Sequence, residues 1–275
     1  MKKVLVLFYS QTGQLEEILR KFFSDLGPDI TIDYVEIKAP QFSFPLNWQS
    51  MFNLFPESVL QVPCDITYEL PNIQYDVVVL GFQTWFLHLS LPMLTFSRTE
   101  DFANLIKNKN VYLIMDCRNS WRYSMKYMEE KVCSKGGYIK GKCVFGSIGS
   151  NFIGSISILH WFFTGNKKLF LFPEPGVPQA EIDRSAKYGK YLLLHEHDNR
   201  VIEYPIGNSH FMPLKIEKNV TDKFKHWATY ITADDNKYRK KRLRYFRIWL
   251  IFTITILSPF IIVVKLINNR SQKQK

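Results

Sequence analysis

No C-x-x-C pair occurs among the four cysteines of this chain, Cys64, Cys117, Cys133 and Cys143, and no histidine stands at ligand spacing from any of them. Neither structural zinc nor an iron–sulfur cluster is signalled, and free thiols in a reducing compartment are the expectation. G-K-[ST] and G-x-G-x-x-G are also missing, which sets aside a Walker loop and a dinucleotide fingerprint. A secretory leader is not suggested either: the apolar run after Met1-Lys2-Lys3 is six residues, Val4 to Tyr9, and gives way to Ser10-Gln11-Thr12-Gly13. It reads as a buried strand. Acidic residues are absent from Lys237 to Lys275, a stretch with 11 Lys or Arg, while residues 1–236 hold 25 basic and 25 acidic groups. The net charge of +11 therefore belongs to the tail, so nucleic acid is not the expected partner and an anionic membrane surface is.

What is present alternates. With 275 residues and 46% hydrophobic content the chain can fill the core of one α/β domain with additions. Residues 4–9 are continuously apolar, as a parallel strand covered on both faces requires. In residues 14–26 the apolar Leu15, Ile18, Leu19, Phe22 and Leu26 recur at helical spacing. Further strands are predicted at 30–37, 75–81, 110–115 and 142–148, and helices at 91–106, 120–134 and 179–195. Such alternation implies right-handed crossovers and a doubly wound sheet. Two stretches, 40–71 and 149–178, are too long for simple connections and rich in aromatic or apolar residues, so they are read as a lid or apolar substrate wall, or as peripheral packing.

Between the first strand and first helix lies Ser10-Gln11-Thr12-Gly13-Gln14, where hydroxyls, a glycine and free helix N–H groups suit a phosphate without Lys or Arg. An ordinary helix cap is the plain alternative. With this loop the chain resembles the flavodoxin-like family, although the hydroxyl residue usual at the next position is Leu15. Residues 75–86, ending Phe82-Gln83-Thr84-Trp85-Phe86 and followed by Leu91-Pro92, resemble the family's flavin loop. Residues 110–121, ending Asp116-Cys117-Arg118-Asn119-Ser120-Trp121, resemble the loop on the other side of the ring. The resemblance implies an α/β flavodoxin-like fold, a doubly wound five-stranded parallel sheet of order 2-1-3-4-5, with FMN at the carboxyl ends of the strands.

It also implies roles. Ser10 to Leu15 would hold the phosphate, and Gln83, Thr84, Trp85, Phe86, Cys117, Arg118, Asn119 and Trp121 would surround the flavin. Trp85 and Trp121 are expected to stack on it, or else to pack in the core. His88 is the candidate proton donor or acceptor, against the commoner structural histidine. The opening residues and the extended carboxyl terminus most resemble the bacterial dialkylresorcinol and flexirubin-type pigment proteins. That implies a flavin-dependent aromatase oxidising a dialkylcyclohexane-1,3-dione, a lipid-like cyclic ketone, beside a partner ketosynthase. An NAD(P)H-dependent quinone reductase and a one-electron FMN carrier are the rival readings, with a scaffold that has lost flavin kept open by Leu15.

The expected organisation is a flavin domain over 1–197 with insertions at 40–71 and 149–178, an extension over 198–236, and a basic tail over 237–275. Residues 248–264 are 17 uncharged, mostly apolar residues. They predict a hydrophobic membrane helix over about 246–267, the basic flank before it placing the flavin domain on the cytoplasmic side. Because the predicted sheet and its helices all precede the tail, the body is expected to stand without residues after 235.

Overall fold

The computed structural model describes residues 2–147, 151–194 and 214–253. The amino-terminal half runs β1 (Lys2–Phe8), α1 (Gln14–Phe22), β2 (Ile30–Glu36), α2 (Trp48–Leu60), β3 (Val77–Trp85), β4 (His88–Leu89), α3 (Leu91–Phe96), α4 (Glu100–Ile106) and β5 (Asn110–Cys117). It continues with α5 (Arg122–Ser134), β6 (Tyr138–Gly146), α6 (Asn151–Thr164), α7 (Gln179–Leu194), α8 (Leu214–Thr232) and α9 (Arg239–Phe252). Five parallel strands pair in the order β2-β1-β3-β5-β6, the expected order 2-1-3-4-5 of a doubly wound sheet. A sixth strand was not expected: the two-residue β4 turns back antiparallel on the end of β3.

The strands are buried on both faces, which is why their sequences do not alternate. Leu5, Leu7, Leu80, Phe82, Leu113 and Met115 face one cluster with Phe96, Phe102, Met125 and Met128 from α3, α4 and α5. Val4, Val6, Val79 and Ile114 face the other, against Leu15, Ile18, Leu19 and Phe22 of α1 and Ile182 of α7. α7 crosses α1 so closely at Gly189 that a β-carbon there would overlap the Phe22 carbonyl. The single helix predicted over 91–106 is two, because Ser97 Oγ donates to Leu94 O (2.7 Å) and Thr99 Oγ1 accepts from Phe102 N (3.1 Å), starting a new helix with its own cap.

Both long insertions pack on this body. Leu46 N donates to Phe162 O (2.8 Å), Phe44 lies edge-on to Trp161 and Phe162, and Trp48 meets Phe163 at 4.9 Å, so α2 and α6 form one apolar roof. A third cluster joins Phe52, Phe55 and Val59 of α2 to Phe224, Ala228 and Ile231 of α8 and to Leu243 and Phe246 of α9.

That cluster corrects two expectations. Among the described residues no helix is long and apolar enough to cross a membrane, so the predicted membrane helix and the membrane localisation built on it are not upheld. Phe246 stacks on Phe55 at 3.8 Å and is fully buried, so the first part of the tail is core, not anchor. The rest of the predicted segment, from residue 254, lies outside the described residues. Nor is residue 235 a natural end of the body, since Leu243 and Phe246 beyond it close the third cluster.

Candidate functional site

The carboxyl ends of β1, β3 and β5 lie side by side, and the chain leaves β1 toward one neighbour and β3 toward the other. An open α/β sheet forms a crevice where the strand order reverses in this way. The first loop there, residues 9–13, is held from beneath. Gln11 N donates to Gln83 Oε1 (2.9 Å), Gln11 Nε2 to Phe42 O (2.6 Å), and Tyr9 OH to Gln11 Oε1 (2.7 Å). Gly13 then takes φ 80°, and nothing lies within 4 Å of where its β-carbon would stand. The first-turn N–H groups of α1 have no partners within the helix. Among the described residues Ser10 Oγ and Thr12 Oγ1 accept only long bonds, from Glu16 N (3.4 Å) and Gln14 N (3.5 Å). An open glycine step, two hydroxyls and a helix start make a cradle fit for a phosphate.

Two residues assigned to this loop are employed otherwise. Gln14 is buried with its amide clamped to Val177, Nε2 donating to Val177 O (3.0 Å) and Val177 N to Oε1 (2.9 Å). Leu15 is fully buried in the α1 face of the sheet, so only its backbone N–H remains for a ligand.

The second loop is a hairpin. Trp85 pairs with His88 across Phe86 and Leu87, which both take positive φ, 47° and 71°. Such conformations are costly without glycine and persist where the surroundings hold them. Trp85 is gripped by Tyr9 and Phe42, both edge-on at 5.5 and 5.3 Å. Thr84 Oγ1 donates to Ser124 Oγ (3.0 Å) at the start of α5. His88 lies apart: its Nδ1 is 2.9 Å from Phe86 O, burial and then Lys225 lower its pKa, and it does not line the cavity described below. Its assignment as the proton-transfer residue finds no geometric support.

In the third loop, Arg118 borders the cavity; burial lowers its pKa to about 10, and Gly154 of α6 packs near its guanidinium. Cys117 ends the strand with its thiol pushed well up, by burial first and by Asp116 next. Asn119 is half-buried. Trp121 does not join the others, being 9% exposed, packed in the first core cluster, with the Arg122 guanidinium 5.1 Å from its ring. Of the two candidate stacking tryptophans, the fold presents Trp85 to the cavity and spends Trp121 on packing.

One residue of the region escaped the sequence reading. Asp116, the penultimate residue of β5, is 8% exposed and accepts from Gln83 Nε2 (3.2 Å). Burial raises its pKa to about 7, with Gln83 and its own backbone opposing the shift. Its only sequence signal is a charge at the end of an otherwise apolar run.

Above these loops is a cavity of about 260 Å³. Its floor is Gln11, Thr84, Trp85, Phe86 and Arg118, and α2, α6 and α9 wall it with residues such as Met51, Phe52, Ile158, Phe162 and Leu250. The volume lies just under the roughly 300–1,000 Å³ of ordinary ligand pockets. Two insertions and the first part of the tail thus meet over one floor of mixed polar and aromatic residues.

No family model and no curated protein matches the chain. Among solved structures it is similar to a flavoprotein in complex with FMN from Lactobacillus acidophilus, at 16% identity over 52% of this chain and 93% of that one, with a TM-score of 0.43. It is also similar to oxidised flavodoxin 1 from Bacillus cereus, at 16% identity over 70% and 99% of the two chains, TM-score 0.39. An azoreductase from Bacillus anthracis is similar at 14% identity over 70% and 100%, TM-score 0.37. The fold assignment rests on the strand order and register.

Proposed function

We propose that this chain is a flavin-dependent oxidoreductase that binds FMN across the ends of β1, β3 and β5 and acts on an apolar cyclic substrate. The observation that carries this reading is the joining of a phosphate-fitting loop to an apolar cavity floored by Trp85 and Arg118. Ser10, Thr12 and the first-turn N–H groups of α1 would take the phosphate; the absence of a second glycine-rich turn favours a mononucleotide. Trp85, kept in one orientation by Tyr9 and Phe42, would offer its ring to the flavin. Arg118, beside the same cavity, would oppose negative charge on the reduced cofactor. Bound FMN supplies the acceptor for a hydride.

The walls support an apolar substrate. Phe52, Ile158 and Phe162 can bury alkyl chains, and burying each CH₂ contributes about 0.8 kcal/mol. The finer reading is oxidation of a 2,5-dialkylcyclohexane-1,3-dione to the resorcinol, in which the ring loses one hydride and one proton and becomes aromatic. A 1,3-dione enolises readily, which suits a cavity with no carboxylate or imidazole among its described lining residues.

The test has two stages. Purified protein should show a flavin absorption spectrum and release FMN, not FAD, on denaturation. Mixed anaerobically with the dione, it should lose flavin absorbance as resorcinol forms, with no NAD(P)H added. Bleaching by NADPH and recovery with quinone, in the absence of any reaction with the dione, would replace the aromatase reading by a quinone reductase.

A further inference from the structure

Asp116 is a buried carboxyl for which the proposed chemistry has no use. Its Oδ2 accepts from Gln83, while its Oδ1 is buried with no hydrogen-bond partner among the described residues. An anion in that setting is costly, whereas a protonated carboxyl carries an O–H donor. The group is also wired to the phosphate loop, because the Gln83 amide that donates to Asp116 accepts the Gln11 N–H with its other end. That orientation links β5 to β1 through β3.

Cys117 and Arg118 follow Asp116 in the chain, and Tyr9, just after β1, bonds Gln11. Arg122 of α5 and the buried Glu217 of α8, paired at 3.2 Å, both act on the thiol of the adjacent Cys117. The strand neighbours at its level, Gln83 and Phe145, do not titrate. α1 contributes Glu16 and Glu17 in its first turn, with Glu16 paired to Arg20 at 2.8 Å. Among the described residues no salt bridge reaches Asp116.

We propose that phosphate binding at this site is coupled to protonation of Asp116, which acts through Gln83 as a positioning residue for the phosphate loop. The inference rests on the FMN reading above. A dianion brought to a loop that Gln83 holds raises the cost of a carboxylate charge at the other end of the same amide, because Asp116 is buried. The carboxyl therefore takes one proton from solvent as the ligand enters; an O–H bond forms and no electron moves. Burial has already brought Asp116 from its ordinary 3.8 to about 7, so the coupling falls within an accessible range of pH. The sign is set by linkage: the anion lifts the carboxyl further, the complex binds more protons than the free protein, and affinity falls as pH rises above about 7. One linked proton limits the fall to about tenfold per pH unit.

The experiment uses the full chain and FMN, above the second ionisation of a phosphate monoester at about 6. Calorimetric titration near pH 8 in two buffers of different ionisation enthalpy reads proton uptake directly, and flavin fluorescence gives the affinity across pH. Wild type should take up a substantial fraction of one proton, Asp116→Asn none, and the variant's affinity should lose most of its fall with pH. Riboflavin, which lacks the phosphate, should bind without uptake. Wild-type FMN binding without proton uptake overturns the coupling, and this result stands whether or not the variant folds. Failure to bind FMN at any pH would overturn the cofactor reading and the coupling with it.

Discussion

Replacing Phe246 by alanine should cost about 3–5 kcal/mol of folding stability. The ring is fully buried, stacks on Phe55 at 3.8 Å and 20°, and receives Phe52 and Phe224 edge-on, each at 6.2 Å. Removing it returns roughly 1.5–3 kcal/mol of transfer energy. The remainder comes from a cavity that cannot collapse, because the neighbouring rings belong to α2, α8 and α9 and are fixed by separate helices. Against a typical total of about 5–15 kcal/mol this is a large fraction. Urea unfolding followed by tryptophan fluorescence would measure it, with Tyr245→Ala as control on the same helix. Tyr245 is 45% exposed, so its loss should stay within about 0.5 kcal/mol. If Phe246→Ala unfolds at the same urea concentration as wild type, α9 does not pack on the body and the third cluster is not a core.

Thr12→Val should weaken FMN binding by about 1–3 kcal/mol, roughly five- to 150-fold, by removing a hydroxyl from the phosphate loop; equal affinities by flavin fluorescence would refute that placement. Gln14→Leu should leave Val177 N and O without their partners, costing about 1–3 kcal/mol for each buried group in chemical denaturation; an unchanged midpoint would show that the clamp contributes nothing. Asp116 also makes stability depend on pH. Its folded pKa of about 7 lies above the ordinary 3.8, so the folded state binds the extra proton and stability falls as pH rises through that interval, then levels off. Denaturant midpoints measured from acid to mildly alkaline pH should fall less in Asp116→Asn than in wild type, and parallel curves would show that the carboxyl is not perturbed.

Local pattern sufficed for the scaffold. The unbroken apolar run of β1, the 3.6-residue spacing of Leu15, Ile18, Leu19 and Phe22, and Gly13 between them state a strand, a helix and a left-handed step, because each depends only on near neighbours along the chain. The three loops at the strand ends follow from the same alternation once crossovers are right-handed. Long-range packing settled the rest. A basic, aromatic stretch after residue 236 has the composition of an anchor, and nothing local says that Leu243 and Phe246 have partners near 52–55 and 224–231. Trp85 and Trp121 look alike in sequence; the hairpin and its grip by Tyr9 and Phe42 bring the first to the cavity, while the turn into α5 puts the second in the core. Asp116 shows the limit most plainly, since its ionisation is set by burial and by Gln83 across the β3–β5 register, 33 residues away in the chain. Local propensity reads backbone geometry, whereas exclusion of water and the meeting of distant side chains exist only after the sheet has closed.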